Sequence, residues 1–304
     1  MSEAVVQVQG LVKRYGSVAA VNDISFEVNK GEVFGLLGPN GAGKTSALEC
    51  LEGMRRVDGG LLSINGCDPQ SDGLRLRKIL GVQLQSSSLP EGIHPGEAMT
   101  LICAWHGLPA RLDLLERFGL DSSSKKQYSE LSTGQKRRLH LALALACDPS
   151  VVILDEPTAG LDVQGRAQLH DAIRELKATG VTILLATHDM AEAESICDRI
   201  AIMIKGRIAV IGSPAQITSS GNSETRITLR TKNDCLLPGS DTISARFLKQ
   251  NENYGIWLCK DTVAAVTELL QEVRQRDDSV EDLRVERPSL EEKFLEFIEG
   301  GTQQ

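Results

Sequence analysis

The stretch that decides the fold is Gly38-Pro39-Asn40-Gly41-Ala42-Gly43-Lys44-Thr45, which matches the phosphate-binding pattern G-x-x-x-x-G-K-[ST] at every fixed position. The apolar run 33–37 before it predicts a buried strand, and residues 46–54 after it predict a helix. A strand that enters a helix through a glycine-rich turn aims several backbone N–H groups at one point, where the helix dipole adds positive potential. The stretch therefore predicts a site for the phosphates of a nucleotide, and its context disfavours a chance glycine-rich turn.

The residues of this loop have separate expected roles. Glycines permit backbone angles that side chains would prevent. Lys44 is expected to reach the β- and γ-phosphates and to assist catalysis, and the Thr45 hydroxyl is expected to ligate Mg²⁺. The residues predicted to contact the nucleotide here are Gly38, Pro39, Asn40, Gly41, Ala42, Gly43, Lys44, Thr45 and Ser46.

Composition limits the possible classes of protein. With 304 residues the chain suits one large domain or two ordinary ones. A net charge of −8 argues against DNA or RNA as the main partner, because such proteins usually carry a basic face. Seven cysteines without a C-x-x-C pair predict reduced, mostly buried thiols. The sequence shows no signal peptide and no apolar run near the roughly 18 residues of a membrane helix, so we expect any service to a membrane to come from outside it.

The order of predicted elements indicates an α/β fold with a second, smaller domain. Strands that alternate with helices predict a mostly parallel sheet, preceded by an antiparallel β subdomain. Two short helices bracketed by prolines predict a helical insertion, placed in a helical subdomain at about 86–147. A small polar stretch at 218–223 predicts a linker. We therefore expect a nucleotide-binding domain at 3–220 and a small α+β domain at 222–304.

The final helix carries its own start signal. Ser289 and Glu292 have the spacing of a capping box, so the helix is predicted to begin at Ser289. The residues that it is expected to bury are Leu290, Phe294, Phe297 and Ile298.

A pair of carboxylates follows the apolar run 151–154. Four consecutive apolar residues predict a strand buried on both faces of a parallel sheet. Asp155 and Glu156 would then leave the end of the strand where such sheets place their ligands. We predict that Asp155 holds Mg²⁺ and that Glu156 polarises the attacking water as a general base. The alternative is a capping pair at a strand end.

The stretch Leu131-Ser132-Thr133-Gly134-Gln135 indicates the family. With it the sequence resembles the ATP-binding cassette (ABC) ATPases over about residues 3–215. The family's usual signature is L-S-G-G-Q, and here Thr133 stands in the third position. The resemblance implies a P-loop NTPase of the ABC cassette fold that hydrolyses ATP with Mg²⁺. It also implies a head-to-tail dimer in which Ser132, Gly134 and Gln135 contact the ATP held by the partner.

Four further positions match the family in order. The resemblance makes Gln85 a ligand of the metal and a participant in catalysis, with Gln83 or an ordinary surface glutamine as the alternatives. His188 would hydrogen-bond the γ-phosphate, or else cap a helix. Tyr15 would stack on the adenine, or else be a core tyrosine. Asp162 would act across the dimer, or else be a simple helix cap.

The tail 287–295 resembles the P-S-L-E-E-x-F-L ending of the cassettes of type 2 ABC exporters. That resemblance implies an ATPase subunit that powers export through a separate integral membrane permease, received on residues 86–130. The chain would pair with a second copy of itself or a paralogous cassette, at the cytoplasmic face of the cell membrane. The alternative is a non-transport ABC ATPase acting on nucleic acid or ribosomes, which would show a long coiled-coil insertion or two cassettes in tandem. The sequence has neither.

Overall fold

A computed structural model describes residues 3–84, 88–121, 125–219, 224–236, 241–286 and 289–300, the last five of these by their backbone alone. The chain divides into two compact units, Met1–Pro214 and Ala215–Gln304. Each has its own hydrophobic core.

An antiparallel sheet opens the first unit. Its strands lie in the order β2-β1-β4, with bounds β1 Ala4–Tyr15, β2 Val18–Asn29 and β4 Gly59–Ile64. Buried and exposed residues alternate along much of β1 and β2, as expected for strands with one face on the core. Strand β1 continues to Tyr15, which pairs with Val18 at the start of β2. The predicted antiparallel subdomain is confirmed.

The second sheet has six strands in the order β5-β6-β7-β3-β8-β9. All neighbours are parallel except β8 and β9. Every residue of β3, β6 and β7 is buried, which explains their unbroken apolar runs. This arrangement confirms the predicted parallel core. The bounds are β3 Val33–Leu37, β5 Leu80–Gln83, β6 Val151–Asp155, β7 Thr182–Thr187, β8 Arg199–Ile204 and β9 Arg207–Gly212.

Helices cover this sheet. The helix after the phosphate loop begins at Lys44 and ends at Leu51, so the predicted bounds 46–54 are wrong at both ends. Gly43 caps it with a φ of 103°, and Gly53, with a φ of 73°, ends it soon after Leu51. Helix α2 was not predicted. The helices of this unit are α1 Lys44–Leu51, α2 Gly73–Ile79, α3 Pro95–Trp105, α4 Leu112–Arg117, α5 Thr133–Ala144, α6 Val163–Ala178 and α7 Met190–Ile196.

The second unit begins within helix α8, Pro214–Ser219, and its described part contains an antiparallel four-stranded sheet in the order β11-β12-β10-β13 and two further helices. Its core includes Ile227, Leu229, Trp257 and Leu269. The last strand was missed in the sequence because it is a largely exposed edge strand with a weak apolar pattern. The bounds are β10 Thr225–Thr231, β11 Ala245–Asn251, β12 Tyr254–Cys259, α9 Thr262–Gln275, β13 Val280–Glu286 and α10 Leu290–Gly300.

The capping box of α10 is confirmed. The Ser289 N–H donates to Glu292 Oε2 at 3.0 Å, and the Glu292 N–H donates to Ser289 Oγ at 3.2 Å. Leu290 and Phe294 are buried as predicted, whereas the side chains of residues 297 and 298 lie outside the described part.

All seven cysteines are free thiols, five of them buried. Among the helices that the structure describes, none is both long and apolar enough to cross a membrane.

Candidate nucleotide site

The phosphate loop is held close to the sheet by its glycines. A Cβ at Gly38 would lie 2.3 Å from the Met203 carbonyl oxygen, and a Cβ at Gly43 would lie 2.1 Å from the Ala20 carbonyl oxygen. Neither backbone oxygen belongs to a flexible group, so only glycine fits at these two positions. The loop therefore leads directly from the buried end of β3 into the N-terminus of α1.

Lys44 lies inside this loop. Its Nζ donates to the Gly38 carbonyl at 2.7 Å and to the Pro39 carbonyl at 3.3 Å. The same Nζ lies 3.4 Å from Glu156 Oε1, and both side chains are buried. A cavity opens beside the ammonium group, lined by the loop together with Tyr15, Ala20 and Glu156. The loop, the lysine and one of the two predicted carboxylates thus face one space.

Thr45 and Asp155 form the second part of the site. The Thr45 hydroxyl donates to Asp155 Oδ2 at 3.0 Å. Burial is the main cause that raises the pKa of Asp155 above its usual range, and the charge of Glu156 adds to it. Asp155 Oδ1 is buried and has no hydrogen-bond partner among the described residues. A carboxylate oxygen left unpartnered beside a threonine hydroxyl is a donor set that fits Mg²⁺.

Glu156 links Lys44 to His188. Its Oε2 lies 2.6 Å from His188 Nδ1, while its N–H donates to the Ala186 carbonyl of β7 at 2.9 Å. Glu156 has a φ of 49°, a left-handed conformation that is uncommon for a residue with a side chain and concentrates at functional sites. His188 does not cap the helix that follows, because Asp189 is the N-cap of α7. The helix-cap alternative for His188 is therefore wrong.

The strand order explains why these groups meet. Strands β6, β7 and β3 are parallel neighbours, so their carboxyl ends share one edge of the sheet. Asp155 is the last residue of β6 and Glu156 follows it, the histidine follows β7, and the phosphate loop follows β3. Open parallel sheets bind their ligands at this edge.

Tyr15 lies on the rim of the same cavity. Its side chain is 43% exposed, which makes the core-tyrosine alternative wrong. Its hydroxyl accepts a hydrogen bond from Ser46 Oγ at 3.4 Å, and Lys13 Nζ lies 5.5 Å from the ring centroid. Stacking of this ring on adenine stays a prediction.

A second cavity lies between the start of α5 and the start of α6. It is lined by Ser132, Thr133 and Gly134 on one side and by the loop that includes Asp162 on the other. The Gln135 N–H donates to Ser132 Oγ at 3.2 Å and the Ser132 N–H donates to Gln135 Oε1 at 2.9 Å, a capping box that starts α5. Within the described part of the chain, this cavity shares no lining residue with the phosphate-loop cavity.

Asp162 does cap a helix, as the simpler alternative proposed. Its Oδ1 accepts the N–H of Gly165 at 2.8 Å at the start of α6. It also lines the second cavity, so the cap holds it where an outside ligand or partner could meet it.

Of the two candidate glutamines, only Gln83 lies in the part of the chain that the structure describes. Gln85 lies outside the described residues, so its roles in metal binding and catalysis stay predictions. Gln83 pairs in register with Leu154, and Asp155 is one residue further along β6. Successive strand residues point to opposite faces, so Gln83 and Asp155 leave opposite faces of the sheet. Gln83 is 1% exposed, and neither amide atom has a hydrogen-bond partner in the described part of the chain.

Sequence reasoning missed Glu52, which follows α1. Burial is the main cause that raises the pKa of Glu52 to about 7, with further contributions from the charges of Asp155 and Glu49. The spacing of Thr45, Glu49 and Glu52 is i, i+4, i+7, which places all three on one helix face. That periodicity was the available signal for a carboxyl group near the residues predicted to bind the metal.

Comparisons with known proteins identify the class. A family model described as "ABC transporter" matches residues 21–159. A solved structure described as the ATP-binding subunit of an ABC transporter has 30% sequence identity and a TM-score of 0.64, covering 70% of this chain and 91% of that chain. The fold is that of an ATP-binding cassette.

Two curated relatives are similar to this chain over most of its length. The daunorubicin resistance ATP-binding protein DrrA3 of Streptomyces coeruleorubidus is 32% identical over 309 residues, covering 97% of this chain and 96% of the relative. The Nod factor export ATP-binding protein I of Burkholderia orbicola (strain AU 1054) is 40% identical over 226 residues, covering 72% of this chain and 74% of the relative. The chain belongs to the ABC transporter family and is an ATP-binding, ATP-hydrolysing subunit of such a transporter. The predicted family, cassette fold and ATPase assignment are confirmed.

Proposed function

We propose that this chain hydrolyses ATP in a head-to-tail pair of cassettes, and that the cycle powers export through a separate integral membrane permease. The observation that carries the proposal is the contact series Lys44–Glu156–His188 beside the Thr45–Asp155 pair, all around the phosphate loop. Export as the direction of transport is inferred from the two relatives, of which one is named a drug resistance protein and the other a Nod factor export protein.

Each side chain has a proposed task. Lys44 exchanges its bonds with the loop carbonyls for the β- and γ-phosphates of ATP. Glu156, released from that ion pair, accepts a proton from the attacking water, and His188 keeps the carboxylate oriented through its hydrogen bond. Thr45 and Asp155, together with Gln85, would hold Mg²⁺. The metal would neutralise charge on the phosphate oxygens.

The second cavity supports the dimer. Helix α5 begins at Thr133, where its N-terminus lines this cavity, and Ser132 is exposed beside it. A helix N-terminus with small residues suits an anion. We propose that Ser132, Gly134 and Gln135 receive the γ-phosphate of ATP bound to a second copy or a paralogous cassette, with Asp162 at the same interface.

An apolar surface supports the permease as partner. On α3, Leu101 and Trp105 are 60% and 75% exposed at the i, i+4 spacing of one helix face, and Leu108 and Leu112 follow with exposed side chains. We propose that this surface, in the segment predicted to receive the permease, packs against an apolar permease helix. The chain would then lie on the cytoplasmic face of the membrane. The net charge of −8 argues against a nucleic acid as partner.

The Glu156→Gln variant tests the catalytic assignment. We expect it to bind ATP, to lose turnover by about 100-fold or more because the general base is removed, and to accumulate as an ATP-bound dimer in gel filtration. Glu194→Gln makes the same chemical change at an exposed position of α7 and is the matched control. Turnover of Glu156→Gln equal to that of the parent would refute the assignment.

The dimer has its own test. Specific activity should rise with protein concentration, because each site needs Ser132 of a second molecule. Specific activity that stays constant across the range where the dimer dissociates would contradict the composite site.

Docking on the permease is tested with Trp105→Ser. We expect this variant to co-purify poorly with the co-expressed permease, whereas Leu74→Ser should co-purify normally. Leu74 is a suitable control because it is 79% exposed on a different helix, α2. Equal recovery of both variants would rule out the proposed surface.

A further inference from the structure

An ion pair that no motif includes joins α6 to the start of α7. Arg166 Nη1 lies 2.6 Å from Asp189 Oδ2, and both side chains are only partly exposed. Asp189 comes directly after His188, and Arg166 lies in the first turn of α6. The pair therefore connects α6, whose N-cap is Asp162, with the residue next to His188.

On the α6 side, hydrogen bonds within a single helical turn connect Arg166 to Asp162. Asp162 is the N-cap of α6, and the N–H of Arg166 donates to the Asp162 carbonyl at 2.9 Å. The Asp162 side chain holds the same turn through Gly165. Because one closed helical turn separates Asp162 from Arg166, a shift of the loop at Asp162 carries the guanidinium with it.

On the α7 side Asp189 uses its two carboxylate oxygens for different purposes. Oδ1 accepts the N–H of Glu192 at 3.0 Å and caps α7, whereas Oδ2 takes the guanidinium of Arg166. The N–H of Asp189 donates to Thr187 Oγ1 at 3.0 Å. These three bonds define the backbone on the C-terminal side of His188, whose ring contacts Glu156.

We propose that Arg166 is a positioning residue: through Asp189 it sets the place of His188, and so couples the loop at Asp162 to the base Glu156 in the same chain. This inference rests on the proposed roles of His188 and Glu156. Continuous contacts run from Asp162 through Arg166 and Asp189 to His188, and a contiguous bonded series of this kind is the physical route for coupling. Closure of a second molecule on Asp162 would thereby reach the water-activating carboxylate.

The same two helices provide an internal comparison. Further along them, His170 Nε2 lies 3.4 Å from Glu192 Oε1, and Arg174 Nη2 donates to Ser195 Oγ at 2.9 Å. These contacts also hold α6 against α7, but they lie away from His188. Arg174→Gln is therefore a matched control, since it removes an arginine bond between the same helices at the far end.

Arg166→Gln is expected to lower kcat about fivefold while the KM for ATP changes less than about twofold, because the phosphate loop keeps its own contacts. Asp189→Asn should show the same split, since asparagine still caps a helix but carries no charge. Arg166→Lys should recover much of the lost rate. Arg174→Gln should retain the parent kcat.

A double-variant cycle decides whether the effect passes through His188. On a His188→Ala background, Arg166→Gln should cause no further loss of the residual turnover. If the losses of turnover caused by Arg166→Gln and His188→Ala multiply in the double variant, the inference is overturned. It is also overturned if Arg174→Gln is as slow as Arg166→Gln, because general packing between the two helices would then explain the effect. If His188→Ala slows turnover but Arg166→Gln does not, only this inference fails. If His188→Ala leaves turnover unchanged, the proposed role of His188 fails and the inference falls with it.

Discussion

Replacing Glu52 by glutamine is expected to stabilise the cassette above neutral pH. Burial, with the charges of Asp155 and Glu49, raises the pKa of Glu52 from 4.5 to about 7. Its Oε2 is buried and has no hydrogen-bond partner in the described part of the chain. Glutamine keeps the shape of the side chain and removes the charge whose burial is unfavourable.

The sign and size follow from the pKa. Because the pKa of Glu52 is higher in the folded state, the folded chain holds this proton more tightly. This contribution to stability is complete below about pH 4.5 and is lost as the pH rises to about 7. One pKa unit corresponds to about 1.4 kcal/mol, so the ionised carboxylate costs roughly 3 kcal/mol. Partial access of solvent reduces the expected gain of Glu52→Gln to about 2 kcal/mol at about pH 8.

Urea unfolding followed by far-UV circular dichroism measures this gain. It should be largest at about pH 8 and should shrink to less than about 1 kcal/mol at about pH 5, where the parent carboxyl is largely protonated in the folded state. Glu49→Gln is the matched control on the same helix face. It breaks the pair that Glu49 forms with Arg55 at 3.1 Å and relieves only a minor cause of the raised pKa of Glu52, so its gain should be much smaller. A gain independent of pH, or an equal gain in the control, would refute the account of Glu52.

Two further predictions concern an aromatic residue and a histidine. Tyr15→Ala is expected to raise the KM for ATP about tenfold with little change in kcat, because base stacking on an aromatic ring contributes about 1–3 kcal/mol; Tyr15→Phe should behave like the parent, and an unchanged KM in Tyr15→Ala would remove the adenine contact. Burial lowers the pKa of His140, whose Nε2 lies 2.9 Å from the Tyr128 hydroxyl, from 6.5 to about 4. The unfolded chain then binds the extra proton, so stability is present above about pH 6.5 and falls by about 2 kcal/mol toward pH 4. Urea unfolding compares the single variant Glu52→Gln with the double variant Glu52→Gln/His140→Gln, so that titration of Glu52 contributes to neither. The loss of stability assigned to His140 should appear only in the single variant. An equal loss in both variants would contradict the assignment to His140.

The sequence by itself determined several features that depend on near neighbours along the chain, although it gave neither the exact ends of α1 nor helix α2. The phosphate loop is one continuous stretch, and its strand and helix follow from the residues beside it. The capping box of Ser289 and Glu292 needs only a spacing of three, and both of its hydrogen bonds form. The unbroken apolar run of β6 already implied a strand buried on both faces.

Tertiary structure decided the pairings between distant residues and the environments that they create. Lys44 meets Glu156, and Arg166 meets Asp189, only because strands far apart in sequence share one edge of the sheet. Register separated Gln83 from Asp155 by facing them to opposite sides. The raised pKa of Glu52 has the same origin, since desolvation depends on what packs around a carboxyl group and not on the residue types beside it in the chain.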